Sequence, residues 1–323
     1  MAVDVLIAFD GSAAAEAAVR AAGALFSGAR ATVLTIHEPA IGPATAYRVG
    51  GGVMSPEVVQ ESLSELERER VGEATAVAAG GSRLAEEVGL AAEPEVAPAT
   101  PPRWQSIVTV ARDRGADVLV CGSRGHGAVA RSVLGSVSSS LLHHAETAVL
   151  VVPDSDVSLD GPALIAYDGS PAANAAIAAT GRLVPGRPAV VVHVWESPVR
   201  HSMSGRALSG APVREVREFT EDFDTWFRQM AEATARDGAE LAKEAGLDAS
   251  AEAVESGSAP WRALRAAAET RDAAVVVVGS QGHGRVASVL LGSVSAGLVH
   301  HAERPVLVIP HSERRVSRPE RPR

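Results

Sequence analysis

The residues best suited to chemistry are glycines and hydroxyls in a spacing that occurs twice, Gly-x2-Gly-x9-Gly-Ser. The first copy is Gly122, Gly125, Gly135 and Ser136; the second is Gly279, Gly282, Gly292 and Ser293, offset by 157 residues at all four positions. Each copy follows an apolar run, Asp117–Cys121 or Ala274–Val278. Glycines at a strand end let backbone N–H groups approach an anion, and a helix start beyond them favours negative charge. The chemistry predicted is phosphate binding by backbone amides. The competing reading is ordinary turns, with Ser136 and Ser293 only capping the next helix. Two copies, each with a matching partner motif elsewhere, weigh against it.

That partner is Asp-Gly-Ser. Ile7-Ala8-Phe9-Asp10-Gly11-Ser12 returns as Ile165-Ala166-Tyr167-Asp168-Gly169-Ser170, at offset 158. Asp10 and Asp168 read equally well as turn or cap residues and as ligand contacts. The repeat continues: Thr35-Ile36-His37-Glu38 becomes His193-Val194-Trp195-Glu196, and Val149–Pro153 becomes Val306–Pro310. So long a period marks a duplicated domain and not a solenoid. A length of 323 residues suits two domains. The expected boundaries are 1–154 and 161–310, leaving an Arg/Pro-rich tail, 311–323, that reads as solvated and disordered.

Composition removes several function classes. A net charge of −9 argues against nucleic-acid binding. Lys243 is the single lysine, which excludes a Walker A loop. Cys121 is the only cysteine, so no intramolecular disulfide forms, and it reads as a small core residue. No stretch reaches membrane length and no signal-peptide pattern opens the chain, so a soluble cytoplasmic protein is expected. His143-His144 and His300-His301 invite a metal reading, but adjacent helical residues diverge and structural zinc wants four ligands. No metal site is expected.

The elements that must position these residues alternate. In the first half, strands are expected at Val3–Phe9, Ala31–Ile36, Glu93–Ala97, Asp117–Cys121 and Ala148–Val152. Helices are expected to about Phe26 from a cap at Ser12 or Asp10, then at Pro56–Val88, Trp104–Arg114 and Ser136–His144. Leu63, Leu66 and Val71 are expected to face the sheet from the long helix. The second half repeats this order. Such alternation predicts an α/β fold, two tandem five-stranded parallel sheets covered on both faces. Ligands in such sheets bind beyond the strand carboxyl ends, where Asp10, His37 and the Gly122 loop would gather, as would Asp168, Trp195 and the Gly279 loop.

Each half thus resembles a universal stress protein domain of the nucleotide-binding subgroup, whose marker is this glycine spacing. The resemblance covers roughly residues 1–310. It implies a Rossmann-like, adenine nucleotide alpha hydrolase-like fold with ATP as ligand, Mg2+ as companion, and domains related by a pseudo-twofold. It also implies roles. Gly122, Arg124 and Gly125 would wrap phosphates, and Gly135, Ser136, Val137 and Ser138 would supply amides and hydroxyls. Asp10 and Ala8 would sit at the nucleoside, with the backbone near Ile36 and His37 at the adenine edge. In the second half the matching positions are Ala166, Asp168, Val194, Trp195, Gly279, Gln281, Gly282, Gly292, Ser293, Val294 and Ser295. Pairing of domains through the last strands, including homodimers, is a further implication.

The halves differ where Arg124 becomes Gln281, and where Thr100-Pro101-Pro102 replaces the Gly257-Ser258 entry to the next helix. The first site is therefore expected to be electrostatically favoured. No general base, nucleophile pair or metal cluster accompanies the cradles, so binding is expected over turnover, with at most slow ATP hydrolysis and an unknown regulatory protein as partner. The alternatives are an adenine-nucleotide enzyme of the same architecture and a dimerisation protein with vestigial loops. Pro39–Pro56 and Ser197–Ala211 are candidate lids.

Overall fold

The computed structural model describes residues 2–40, 55–125, 134–197, 213–282 and 291–310. The chain divides into two compact units, Met1–Gly161 and Pro162–Leu298, with Val299–Val306 grouped with the first and Leu307–Arg323 with the second. In the first half the order is β1 (Asp4–Ala8), α1 (Ala13–Leu25), β2 (Arg30–His37), α2 (Pro56–Glu87), β3 (Ala91–Pro98), α3 (Trp104–Arg114), β4 (Val118–Gly122), α4 (Ser136–His144) and β5 (Ala148–Val152). The second half follows as β6 (Ala163–Ala166), α5 (Pro171–Leu183), β7 (Pro188–Trp195), α6 (Val213–Glu244), β8 (Asp248–Glu255), α7 (Pro260–Thr270), β9 (Val275–Gly279), α8 (Ser293–His301) and β10 (Val306–Ile309). The tail and most of both candidate lids lie outside the described residues.

Strand order is β3-β2-β1-β4-β5 in the first half and β8-β7-β6-β9-β10 in the second. Ile7 lies opposite Val33 and Val120 in parallel register, and Ile165 lies opposite Val191 and Val277. The chain winds outward from β1 to β3 and then crosses back to β4. The gap between β1 and β4 is therefore the switch point where a ligand fits, and β6 and β9 form the same gap in the second half. Leu6, Ile7, Leu119, Leu150, Leu164 and Ile165 are fully buried, as expected of strands covered on both faces.

The helices that cover the sheets do so with small residues. Gly81 of α2 seats the Phe9 ring: a Cβ there would lie 2.6 Å from the ring. Gly238 of α6 seats the Tyr167 ring at the same distance. This overturns the expectation for Leu63, Leu66 and Val71. Leu66 and Val71 are 36% and 37% exposed and Leu63 is half-buried, whereas Ala74, Ala78, Ser82 and Ala85 are buried. The reason is length. A 32-residue helix is about 48 Å long, while the 8-residue strands β2 and β3 run about 27 Å. Only the second half of α2 has a sheet beneath it.

The helix starts settle one ambiguity. Ser12 and Ser170 are the N-caps of α1 and α5, each hydroxyl accepting from a backbone N–H, of Ala15 and Ala173, at 3.2 Å. Asp10 and Asp168 instead brace the turn, Oδ1 accepting from the amide of Ser12 at 3.0 Å and of Ser170 at 2.9 Å.

Candidate functional site

With Oδ1 so engaged, the other carboxylate oxygen reaches the neighbouring loop. A Cβ on Gly125 would lie 2.7 Å from Asp10 Oδ2, and one on Gly282 would lie 2.9 Å from Asp168 Oδ2. A side chain at either glycine would have to push the carboxylate or the loop aside. Gly122 and Gly279 end their strands hard against the helix starts, where a Cβ would meet Ala14 backbone at 2.8 Å and Ala172 backbone at 3.0 Å. The third glycine closes the loop: the amides of Gly135 and Gly292 donate to the carbonyls of Ser123 and Ser280, both at 2.8 Å. Two copies of one geometry have thus formed from two different sequences.

The helix after the loop holds the donors. Gly135, not Ser136, is the N-cap of α4, and no side chain caps it. Ser136 is the first helical residue and is exposed, as is Ser293 at the start of α8, so neither caps its helix. The amides of Ser136, Val137 and Ser138 open α4 with no side-chain cap, the arrangement of donors that suits an anion. Ser138 and Ser295 are buried and donate their hydroxyls to the carbonyls of Gly122 and Gly279, both at 2.7 Å. Their hydroxyl protons therefore tie the strand end to the helix start.

In the second half these parts wall a cavity of about 470 Å³. Ala166, Asp168, Val194, Gly279, Gln281, Gly282, Gly292, Ser293, Val294 and Ser295 all line it. Trp195 does not. Alternation along β7 turns Val192 and Val194 to the cavity and Trp195 to the other face, where it is 8% exposed. Its carbonyl accepts from the Ser256 amide at 2.8 Å. His37 occupies the matching position and is likewise buried, with Nδ1 3.6 Å from Glu67 Oε1 and its carbonyl accepting from the Ala99 amide at 2.7 Å. Ile36 and Ala8 match Val194 and Ala166.

Val192, Pro260, Leu264 and Leu291 complete an apolar wall that the motif reading missed. Two-residue periodicity of β7 would have found Val192; the others need the tertiary fold. Tyr167 also lines the cavity, its hydroxyl donating to Asn174 Oδ1 at 3.0 Å. Burial raises its phenol pKa first, with Asp237 and Asp168 adding to the shift.

Among the described lining residues Asp168 is the one charged side chain. In the first half Arg124 stands where Gln281 does, 18% exposed, with Nη2 3.9 Å from Asp154 Oδ2. Cys121 is buried beside this loop, and desolvation pushes its thiol up to about 12, which keeps it a neutral core residue. The histidine pairs are engaged locally: His144 stacks on Trp104 with centroids 4.0 Å apart, and His143 Nδ1 lies 2.6 Å from the Ser139 carbonyl. His126 and His283 lie outside the described residues. No helix among the described residues is long and apolar enough to cross a membrane.

The chain is similar to known proteins in sequence and in fold. A universal stress protein of Mycolicibacterium smegmatis is 30% identical over 325 residues, 94% of this chain and 96% of that one. Universal stress protein Rv2005c of Mycobacterium tuberculosis is 32% identical over 202 residues, 60% of this chain and 61% of that one. The crystal structure of a universal stress protein from Archaeoglobus fulgidus aligns with a TM-score of 0.58 at 21% identity, covering 96% of this chain and 98% of the other, and shares the fold. The sequence profile of the universal stress protein family matches residues 1–153 and again 161–310. With both halves matched, the chain belongs to the universal stress protein family, as two such domains in tandem.

Proposed function

We propose that this protein binds ATP, one potential site per domain, and acts in the stress response through nucleotide occupancy, with little or no hydrolysis. The observation that carries the reading is the repeated pairing of an Asp carboxylate with a loop glycine whose Cβ would press on that carboxylate, beside a helix start. An apolar slot ending in backbone donors suits a flat base at one end and phosphates at the other. The cavity of about 470 Å³ falls within the roughly 300–1,000 Å³ of small-molecule sites. Ala166, Val192, Val194 and Leu264 would hold the base, Asp168 the ribose hydroxyls, and the amides of Gly282, Val294 and Ser295 the phosphates. In the first domain Ala8, Asp10, Ile36, Gly125, Val137 and Ser138 take those places.

Mg2+ bound with the nucleotide would supply countercharge to the phosphates, a task for which this chain has one lysine in all, Lys243. Arg124 contributes in the first domain by exchanging Asp154 for phosphate. Asp10 and Asp168 are committed to the turn and the loop, which favours binding over activation of water. The bound state then differs from the free state in what it presents to a regulatory partner in the cytoplasm.

The test is chemical. Purified protein is denatured, the released small molecules are chromatographed, and nucleotide is counted per chain. Close to two ATP supports the reading in both domains, and about one supports unequal sites. None, with no binding on adding Mg-ATP, overturns it.

A further inference from the structure

Helix α6 has two apolar faces, and the fold uses one. Ala231, Ala235, Ala239 and Ala242 are at most 3% exposed and lie on the sheet. At about 100° per residue, Phe223, Met230 and Trp226 lie roughly 115°, 135° and 175° around the helix from the centre of that face. They are 39%, 52% and 52% exposed. Phe227 joins them, its ring centroid 5.2 Å from Phe223 and 4.9 Å from Trp226.

The duplication supplies an internal control. Aligning the buried Ala231, Ala235 and Ala242 with Ala74, Ala78 and Ala85 of α2 sets Phe223, Trp226, Phe227 and Met230 against Leu66, Glu69, Arg70 and Glu73. The same fold is therefore served by three charged residues at these four positions. In a chain with 5 Phe, 4 Trp and 2 Tyr, a cluster of three aromatics on an exposed helix is a surface with a use.

Its size selects the occupant. Aromatic and Met side chains of about 150–250 Å² each, at the exposures above, give a patch of about 300 Å². A stable pairing with a second copy needs about 800 Å² per partner. A segment of the same chain needs far less, because tethering supplies an effective concentration in the millimolar range. Residues 311–323 carry five arginines, Arg314, Arg315, Arg318, Arg321 and Arg323. Guanidinium groups stack on aromatic rings. The turns that carry the patch, residues 218–230, hold four acids, Glu218, Glu221, Asp222 and Asp224, against one cation, Arg228. Reach is sufficient. From β10 to β7 and β8, on which α6 lies, is three to four strand spacings, about 14–19 Å, and thirteen residues span up to about 43 Å.

We propose that the arginine-rich segment 311–323 docks on the Phe223–Trp226–Phe227–Met230 face of α6. The test uses the full chain with Met230→Cys and Ser317→Cys, the native Cys121 being buried. On mild oxidation a disulfide within one chain should form with a yield independent of protein concentration. Adding Arg315→Glu with Arg318→Glu, or Trp226→Glu, should cut its rate at least five-fold, with thermal melting unchanged because these α6 positions are exposed. No disulfide, or one whose rate neither set of substitutions alters, overturns the proposal. Disulfides between chains that rise with concentration would assign the face to a second copy and overturn it as well.

Discussion

At the scale of single residues, the two sites are held open by what is missing from Gly125 and Gly282. A Cβ at 2.7–2.9 Å from a carboxylate oxygen must move the loop or the aspartate. Overpacking of this kind costs about 1–3 kcal/mol, so Gly125→Ala and Gly282→Ala should each weaken ATP at their own site by roughly 5- to 150-fold. Calorimetric titration of the two variants should also separate the sites, because each leaves the other domain's site intact. The Gly282→Ala protein, keeping the Arg124 loop, should retain the tighter binding; equal residual affinities would contradict the asymmetry. These glycines were legible in the sequence because their spacing and their Asp-Gly-Ser partners recur together. The Trp195 side chain lies off the cavity for a reason the sequence also contains: on a strand the neighbour of a cavity-facing Val194 points away. Reading that parity needs one residue of the strand to be anchored to a face first. Ser138 and Ser295 show the opposite limit. Whether a hydroxyl turns to a ligand or to a backbone carbonyl depends on burial, and burial is a tertiary fact.

At the scale of elements, helix starts and strands were readable from period and caps, and boundaries moved by only a residue or so. The long helices were readable in extent but not in use. Leu66 and Val71 look like a core stripe, yet the stripe that meets the sheet is Ala74, Ala78, Ser82 and Ala85. Close approach selected small residues, and the bulk came from Phe9 and Tyr167 across the interface. Gly238→Ala tests this. Its Cβ would lie 2.6 Å from the Tyr167 ring, and the expected cost is about 1–3 kcal/mol. Calorimetry should show the melting temperature falling by roughly 3–10 °C. A Tyr167→Ala change in the same chain should restore room but lose the ring's burial, so the double variant should be less destabilised than the sum of the singles.

At the scale of the whole molecule, two domains of one fold have diverged at their margins while keeping their sites. The loops agree to within a few tenths of an ångström in every contact named above; the differences fall on Arg124 against Gln281 and on the outer face of α6. Duplication was the most legible property of all, since offsets of 157 and 158 residues need no physics to detect. The margins were less legible, because only burial separates an exposed apolar face such as Phe223, Trp226 and Met230 from a core stripe of equal hydrophobicity. A ligand that binds the folded form at 100 times its dissociation constant adds about 2.7 kcal/mol. Scanning calorimetry with Mg-ATP should therefore raise the melting temperature of the native chain. It should raise it less when either glycine is replaced, and least when both are.

One feature of the site bears on the protein's lifetime. Asp10 and the Gly122 loop sit at the ends of β1 and β4, strands that touch across 113 residues of sequence where the Asp4 amide donates to Asp117. Each half of the cradle is held by local contacts, of Asp10 with Ser12 and of Ser138 with Gly122, but the two halves do not meet until the long crossover through β2 and β3 is complete. If nucleotide binds as proposed, a domain whose β1 and β4 have parted offers it only half a site, so ligand should favour the closed domain. Limited proteolysis should then be slower with Mg-ATP present than without it.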